Sequence, residues 1–270
     1  MTSFPLSAHI GYLFTERPMP ERIAAAAAAG FDAVEHPAPY AIPAPEMAAL
    51  LRRARLTYTQ FGLRSGDASA GEKGIGIFPD RREEFARDLV EGLDYAEAIG
   101  VKLVHAMAGV LPEAGRLAEH WECYVENLAR AARAAAPRGI TIIVEPMSAL
   151  AVPDYFIATP DRAAEAIHAA AEPNVGLLLD MFHTAAAGLD VEATIRAHAP
   201  LIRHAHVADY PGRHEPGSAG LDFGLIARTL AAIGYGGRLG CEYVPAGRTE
   251  DGLAWMNRHR AKWVNDTNPH

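Results

Sequence analysis

The sequence predicts a closed (β/α)8 barrel, and three observations lead there. Strand-like and helix-like segments alternate along almost the whole chain, eight strand-like runs can be counted, and 270 residues suits eight such repeats. The runs cover residues 7–14, 33–38, 57–63, 102–109, 140–146, 175–183, 202–209 and 238–244. Most are continuous apolar stretches, as expected of parallel strands covered on both faces. A doubly wound open sheet usually has fewer strands, and no glycine fingerprint follows the first run. No linker or composition break interrupts the chain, so one domain spanning residues 1–270 is expected.

Taken in order, the N-terminus lacks a basic start and a small-residue cleavage site, so it reads as a first strand and not a signal peptide. His9 within it could line the base of a pocket, but a buried histidine satisfied by backbone is the favoured reading. The second run ends in Glu35 and His36, a pair as suited to packing against a helix as to a pocket. The third carries Gln60. After Pro79, Phe85, Leu89 and Leu93 recur every four residues opposite Arg81, Glu83, Glu84, Arg87 and Asp88, the pattern of an amphipathic helix that Gly100 can stop. The fourth run holds His105 in core-like surroundings. Trp121, Tyr124 and Leu128 form the next helical stripe, ended by Pro137 and Gly139. Thr159-Pro160, Asp190 and Asp222 read as helix caps before the last three repeats, and Trp255 as packing on the final helix. Two loops exceed ordinary length, 62–80 and 210–222, and long loops after barrel strands are where binding groups and lids reside.

The last four runs each end near a potential metal ligand: Glu145 in ITIIVEP, Asp180 in VGLLLDMFH, His206 in IRHAHVAD and Glu242 in GRLGCEYVP. An unpaired carboxylate is costly inside runs this apolar. Singly, each has an ordinary explanation, a salt bridge, a helix cap or a satisfied core histidine. Together, on neighbouring strands of a barrel, they converge on one mouth. Three oxygen donors and one nitrogen favour Mn²⁺ or Mg²⁺, with Co²⁺ or Zn²⁺ tolerated, and no organic cofactor is needed. A cation chelated by a carbonyl and an adjacent hydroxyl acidifies the C–H between them, and a held carboxylate can move that proton. Glu145 and Glu242 are therefore the candidate acid and base. His183, three residues after Asp180, is placed to bond a substrate oxygen, and Lys73 and Arg213 in the long loops to neutralise a substrate carboxylate.

Composition narrows the partners to a small molecule. A net charge of −8 argues against a nucleic-acid-coating surface, and no apolar run approaches the roughly 20 residues that span a bilayer. Only two cysteines, Cys123 and Cys241, fit a reducing compartment, so a cytoplasmic protein is expected, with homo-oligomerisation left open.

Several stretches carry a resemblance: GDASAGEKGI (66–75) with the following FPDRREEF, VEPMS (144–148), LLDMFH (178–183), HVADYPGRHEPG (206–217) and GCEYVP (240–245) with GLAWM. Along nearly its whole length the chain resembles the hydroxypyruvate isomerase family of the xylose-isomerase-like barrels, beside the 2-oxo-tetronate isomerases. The resemblance implies conversion of hydroxypyruvate to tartronate semialdehyde, or isomerisation of a related short 2-oxo acid, with acid/base glutamates at Glu145 and Glu242 and a metal-binding aspartate at Asp180. The chain departs from that pattern at His206, where glutamine is frequent in the family and histidine is the pattern of ketose 3-epimerases. Ser148, Ala149, Ala151 and Gly220 stand where polar groups are expected, which keeps a non-catalytic sugar-acid binding barrel among the alternatives. Arg213-His214-Glu215 also resembles part of the three-metal site of the AP endonucleases. That site takes further histidines from strands three and four, where this chain has Gln60, Phe61 and His105, and DNA repair is not expected.

Overall fold

A computed structural model describes residues 4–112, 117–257 and 259. Its strands are β1 (Leu6–His9), β2 (Ala33–Glu35), β3 (Thr57–Tyr58), β4 (Gln60–Gly62), β5 (Leu103–His105), β6 (Thr141–Val144), β7 (Val175–Asp180), β8 (Ile202–His206) and β9 (Leu239–Cys241). All pair in parallel, in the order β3-β2-β1-β9-β8-β7-β6-β5-β4.

The ninth strand comes from the third predicted run, which is split at Thr59. Its first half pairs with β2 and its second with β5. Thr59 N–H donates to Val34 O and Gly62 N–H to Pro37 O, both at 2.9 Å, so the run also follows the β2 side past the split and the wall closes. Apart from this kink, the structure is the eight-stranded barrel expected.

The helices α1 (Met19–Ala28), α2 (Ala44–Ala54), α3 (Arg82–Ile99), α4 (Leu117–Ala135), α5 (Pro160–Ala170), α6 (Met181–Ala186), α7 (Val191–Ala197) and α8 (Phe223–Ala232) follow their strands. α3 buries Phe85, Leu89 and Leu93, the predicted stripe, and stops at Gly100 in the left-handed conformation. α4 buries Tyr124 and Leu128, with Trp121 half-buried at its margin. The expected caps form: Thr159, Asp190 and Asp222 accept from the backbone N–H three residues on. Among the described residues no helix is long and apolar enough to cross a membrane.

The strands are shorter than the predicted runs throughout, and two of the shortened ends bear on the site. The first ends at His9, where Tyr12 and Leu13 N–H turn back to the His9 carbonyl. The sixth ends at Asp180, so His183 lies on α6 and not on a strand exit. The cause is local. The Asp180 Oδ1 atom accepts from Phe182 N–H at 2.7 Å and His183 N–H at 3.2 Å, which starts a helix inside an otherwise apolar run.

Candidate metal centre

The four predicted ligands sit at one level because their strands end together. Asp180 and His206 are the last residues of β7 and β8; Glu145 and Glu242 are the first beyond β6 and β9. Register aligns Asp180 with His206 and His206 with Gly240. One donor atom from each of Glu145, Asp180, His206 and Glu242 lies within 4.8 Å of the others, with all but the half-buried Glu242 out of solvent. Three hard oxygens and one imidazole nitrogen this close fit an oxygen-preferring divalent cation.

So many acids buried together require positive partners. Arg213 supplies one: its Nη2 donates to Glu242 Oε2 at 2.7 Å and to Asp180 Oδ2 at 3.1 Å, and its Nε to the Glu242 carbonyl at 3.3 Å. The guanidinium is stacked between the rings of Phe182 and Tyr12, 4.9 and 5.2 Å from their centroids. His206 is the other partner. Its Nδ1 faces Glu242 Oε2 at 2.8 Å and its Nε2 faces Glu35 Oε1 at 2.6 Å.

Glu35 is thus the support behind the histidine. Fully buried on β2, it reaches across the barrel to His206 with one oxygen and to His204 Nε2 with the other, at 3.1 Å. An imidazole whose far nitrogen is tied to a carboxylate keeps its near nitrogen aimed at the metal position. Gly240 on β9 makes room for this pair. A Cβ there would lie 2.4 Å from Glu35 Oε1 and 2.5 Å from the His206 ring, so no larger residue fits without displacing both.

The two glutamates differ in environment. Burial and the neighbouring Glu242 charge push Glu145 well above the usual carboxylate range. Burial acts on Glu242 in the same direction, but Arg213, His9 and His206 outweigh it and hold that carboxyl well below. Burial likewise opposes charge on His206, and Glu35 with Glu242 outweighs it, raising that imidazole well above its ordinary value. Paired carboxyls driven apart in this way are the arrangement acid–base chemistry uses.

Above the cluster lies a cavity of about 230 Å³, lined by Glu145, His206, Arg213 and Glu242 at its floor and by His9, Tyr12, Gln60, Lys73, His105, Met107 and His183 around it. All seven residues predicted as site residues therefore reach one place, counting Asp180 beneath Arg213. Lys73 is exposed at the rim. Its loop is braced by Glu72, which accepts from Asp67 N–H at 2.6 Å and from Arg81 Nη1 at 2.6 Å. His183 is held by Ser148, whose N–H donates to its Nδ1 at 3.3 Å with Oγ at 3.2 Å. Ser148, read from sequence as a missing polar group, is thus a working one.

Two histidines favoured as core in the sequence, His9 and His105, face the site, and Gln60, given no role there, joins them. His9 is not satisfied by backbone: its Nε2 lies 3.3 Å from Glu242 Oε1 and its Nδ1 has no partner. His105 faces the cavity with Nδ1 3.7 Å from Glu145 Oε2, its Nε2 is likewise unpartnered, and burial pushes it down to about 3. Gln60 presents an unpartnered side-chain oxygen to the same space. A polar residue inside a strand-like run was the available signal in each case. It does not say which face of the strand it occupies.

The 210–222 loop that carries Arg213 is pinned at both ends. Asp209, fully buried, accepts from the N–H groups of Tyr210, Ala219 and Leu221 at 2.7–2.9 Å. Glu215 accepts from Ala246 N–H at 3.1 Å.

A family described as xylose isomerase-like TIM barrel matches residues 23–259. The chain is 36% identical over 249 residues to a 2-oxo-tetronate isomerase of Pectobacterium atrosepticum, covering 92% of this chain and 95% of that protein. It is 36% identical over 266 residues to a putative hydroxypyruvate isomerase of Homo sapiens, covering 96% of each. A crystal structure titled AP endonuclease, family 2, from Brucella melitensis superposes with a TM-score of 0.92 at 35% identity, over 95% of this chain and 99% of that one. An L-ribulose 3-epimerase shares the fold, with a TM-score of 0.78 at 20% identity over 100% and 99% of the two chains.

Proposed function

The chain belongs to the xylose isomerase-like TIM barrel family, and from that premise we propose that it is a divalent-metal-dependent isomerase of a short 2-oxo acid, with hydroxypyruvate to tartronate semialdehyde as the leading reaction. One observation carries the reading: Glu145, Asp180, His206 and Glu242 bring their donor atoms within 4.8 Å of one another at the floor of a cavity sized for a small molecule. These four residues would hold Mn²⁺ or Mg²⁺. When bound, such a cation polarises the substrate carbonyl and its neighbouring hydroxyl and acidifies the C–H between them.

The chain's own groups supply the rest. Arg213 and Lys73 take the substrate carboxylate, and His183, fixed by Ser148, orients a substrate oxygen. Glu242, which His206 and His9 face at 2.8 and 3.3 Å, suits the base that removes a proton from the hydroxymethyl carbon. Glu145 faces His105 and His206 at 3.7 and 3.8 Å, and burial with the neighbouring Glu242 charge raises its carboxyl above the usual range. That suits the acid that returns a proton to the adjacent carbon. The hydroxyl proton passes between the two neighbouring oxygens, so the product is an isomer and no redox partner is consumed.

The relatives named for hydroxypyruvate and 2-oxo-tetronate isomerisation support this class. A nuclease reading is disfavoured by the donor set: where the three-metal site takes a further histidine from the third strand, this chain has Gln60 and Phe61. His206 favours one further reading, a ketose 3-epimerase. The test is proton NMR in D₂O with Mn²⁺-loaded protein and a panel of hydroxypyruvate, four-carbon 2-oxo acids and C4–C6 ketoses. Isomerisation of the 2-oxo acids with deuterium entering at the carbon next to the carboxylate supports the proposal. Exchange confined to C3 of a ketose overturns it in favour of the epimerase, and tight binding without exchange in favour of a binding protein.

A further inference from the structure

Arg213 borders two things at once. One nitrogen of its guanidinium contacts both Asp180 Oδ2 and Glu242 Oε2, carboxylate oxygens of the candidate metal centre, while the same side chain lines the substrate cavity. A divalent cation held by Asp180 and Glu242 would meet a fixed positive charge already bonded to their oxygens, and the two cations repel. Either the guanidinium stays and weakens the site, or it moves. Its backbone is poorly placed to move, because Asp209 and Glu215 pin the loop and Arg213 N–H itself bonds the Asp209 carbonyl at 3.1 Å. Its side chain is free to turn: the stem is long, the partners beyond the carboxylates are flat rings and one carbonyl, and open cavity lies on one side.

We infer that Arg213 is an exchangeable counter-ion: it neutralises Asp180 and Glu242 in the metal-free protein, and a cation arriving at those carboxylates turns the guanidinium into the cavity to take the carboxylate of the substrate. The inference rests on the metal-dependent reading above and adds an order to it, cation first and anionic substrate second. It also gives Arg213 a sign opposite to that of an ordinary structural residue, since removing its charge should tighten the metal site.

The experiment titrates Mn²⁺ into chelator-treated wild type, Arg213→Met and Arg213→Gln, following free Mn²⁺ by electron paramagnetic resonance after circular dichroism has verified each fold. Glutamine retains donors without the charge and serves if the methionine variant does not fold. Pyruvate, a 2-oxo acid without the hydroxyl needed for isomerisation, is the anionic probe, with and without Mn²⁺. The expected result is Mn²⁺ affinity raised about tenfold or more in the neutral variants. Pyruvate binding should depend on Mn²⁺ in wild type and be lost in both variants. Unchanged or weaker Mn²⁺ binding in the folded variants overturns the exchange and leaves the metal centre standing. Tighter Mn²⁺ binding with pyruvate held equally by metal-free wild type overturns the ordering. Failure of wild type to bind Mn²⁺ at all overturns the metal-dependent reading and this inference with it.

Discussion

The two walls of the cavity are built differently. The wall formed by the ends of β6 to β9 concentrates ionisable groups: three carboxyls, an imidazole and a guanidinium. The wall formed by β1 to β5 carries His9, Gln60 and His105, with unpartnered polar atoms, and a single lysine at the rim. Burial lowers His9 despite nearby Glu242 and Glu35, and lowers His105 with little to oppose it, so both imidazoles are neutral. The difference separates two tasks. The charged wall can grip a cation and shift protons, whereas the neutral wall offers hydrogen bonds and shape without competing for the metal.

Matched substitutions on the two walls test this division most directly. Glu145→Gln and Glu242→Gln should each lower turnover by about a thousandfold or more, with the melting temperature little changed. Gln60→Leu across the cavity should cost less than about tenfold in kcat. Comparable losses on both sides in a steady-state assay would erase the distinction. Glu35→Gln probes the support that the neutral side lends to the charged one. Mn²⁺ affinity should fall about 10- to 100-fold with the fold intact, and an unchanged titration would show that His206 needs no carboxylate behind it.

A smaller effect is expected at the rim. Lys73→Met should raise KM about tenfold for an anionic substrate and leave kcat nearly unaltered, since a rim charge contributes uniform binding; a selective loss of kcat would move Lys73 into the proton-transfer step. The smallest effect concerns His36, which stacks against His9 and which burial lowers from 6.5 to about 4. The unfolded chain takes up this proton below pH 6.5 and the folded protein does not until about pH 4, so stability is lost as pH falls through that window. Urea melts should show about 1 kcal/mol less stability at pH 5.5 than at pH 7 from this group, and His36→Gln should remove that increment. An identical pH slope in the variant would assign the loss to another group.

The sequence was legible where chemistry and periodicity agreed. Acids at the ends of apolar runs are costly unless used, so Glu145, Asp180 and Glu242 stood out, as did the αL stop at Gly100 and the caps at Thr159, Asp190 and Asp222. The neutral wall was harder to read, because a histidine or glutamine within a short run carries no mark of facing inward or outward. Glu35 was ambiguous for the same reason: its partners His204 and His206 lie on β8, far along the chain and one strand beyond its neighbour β1 and then β9. The interruption at Thr59 left no trace in hydropathy. It depends on hydrogen bonds to β2, including residues beyond that strand's end.

Asp180 joins two roles in a single side chain, one oxygen starting α6 and the other facing Arg213. Most replacements there would unravel the first turn of a helix and strip an anchor from the ion pocket together, so a defect in either would masquerade as the other. A neutral capping residue such as asparagine parts them: it can retain the cap while surrendering the negative charge, which makes this position a natural dial for tuning cation grip without loosening the scaffold.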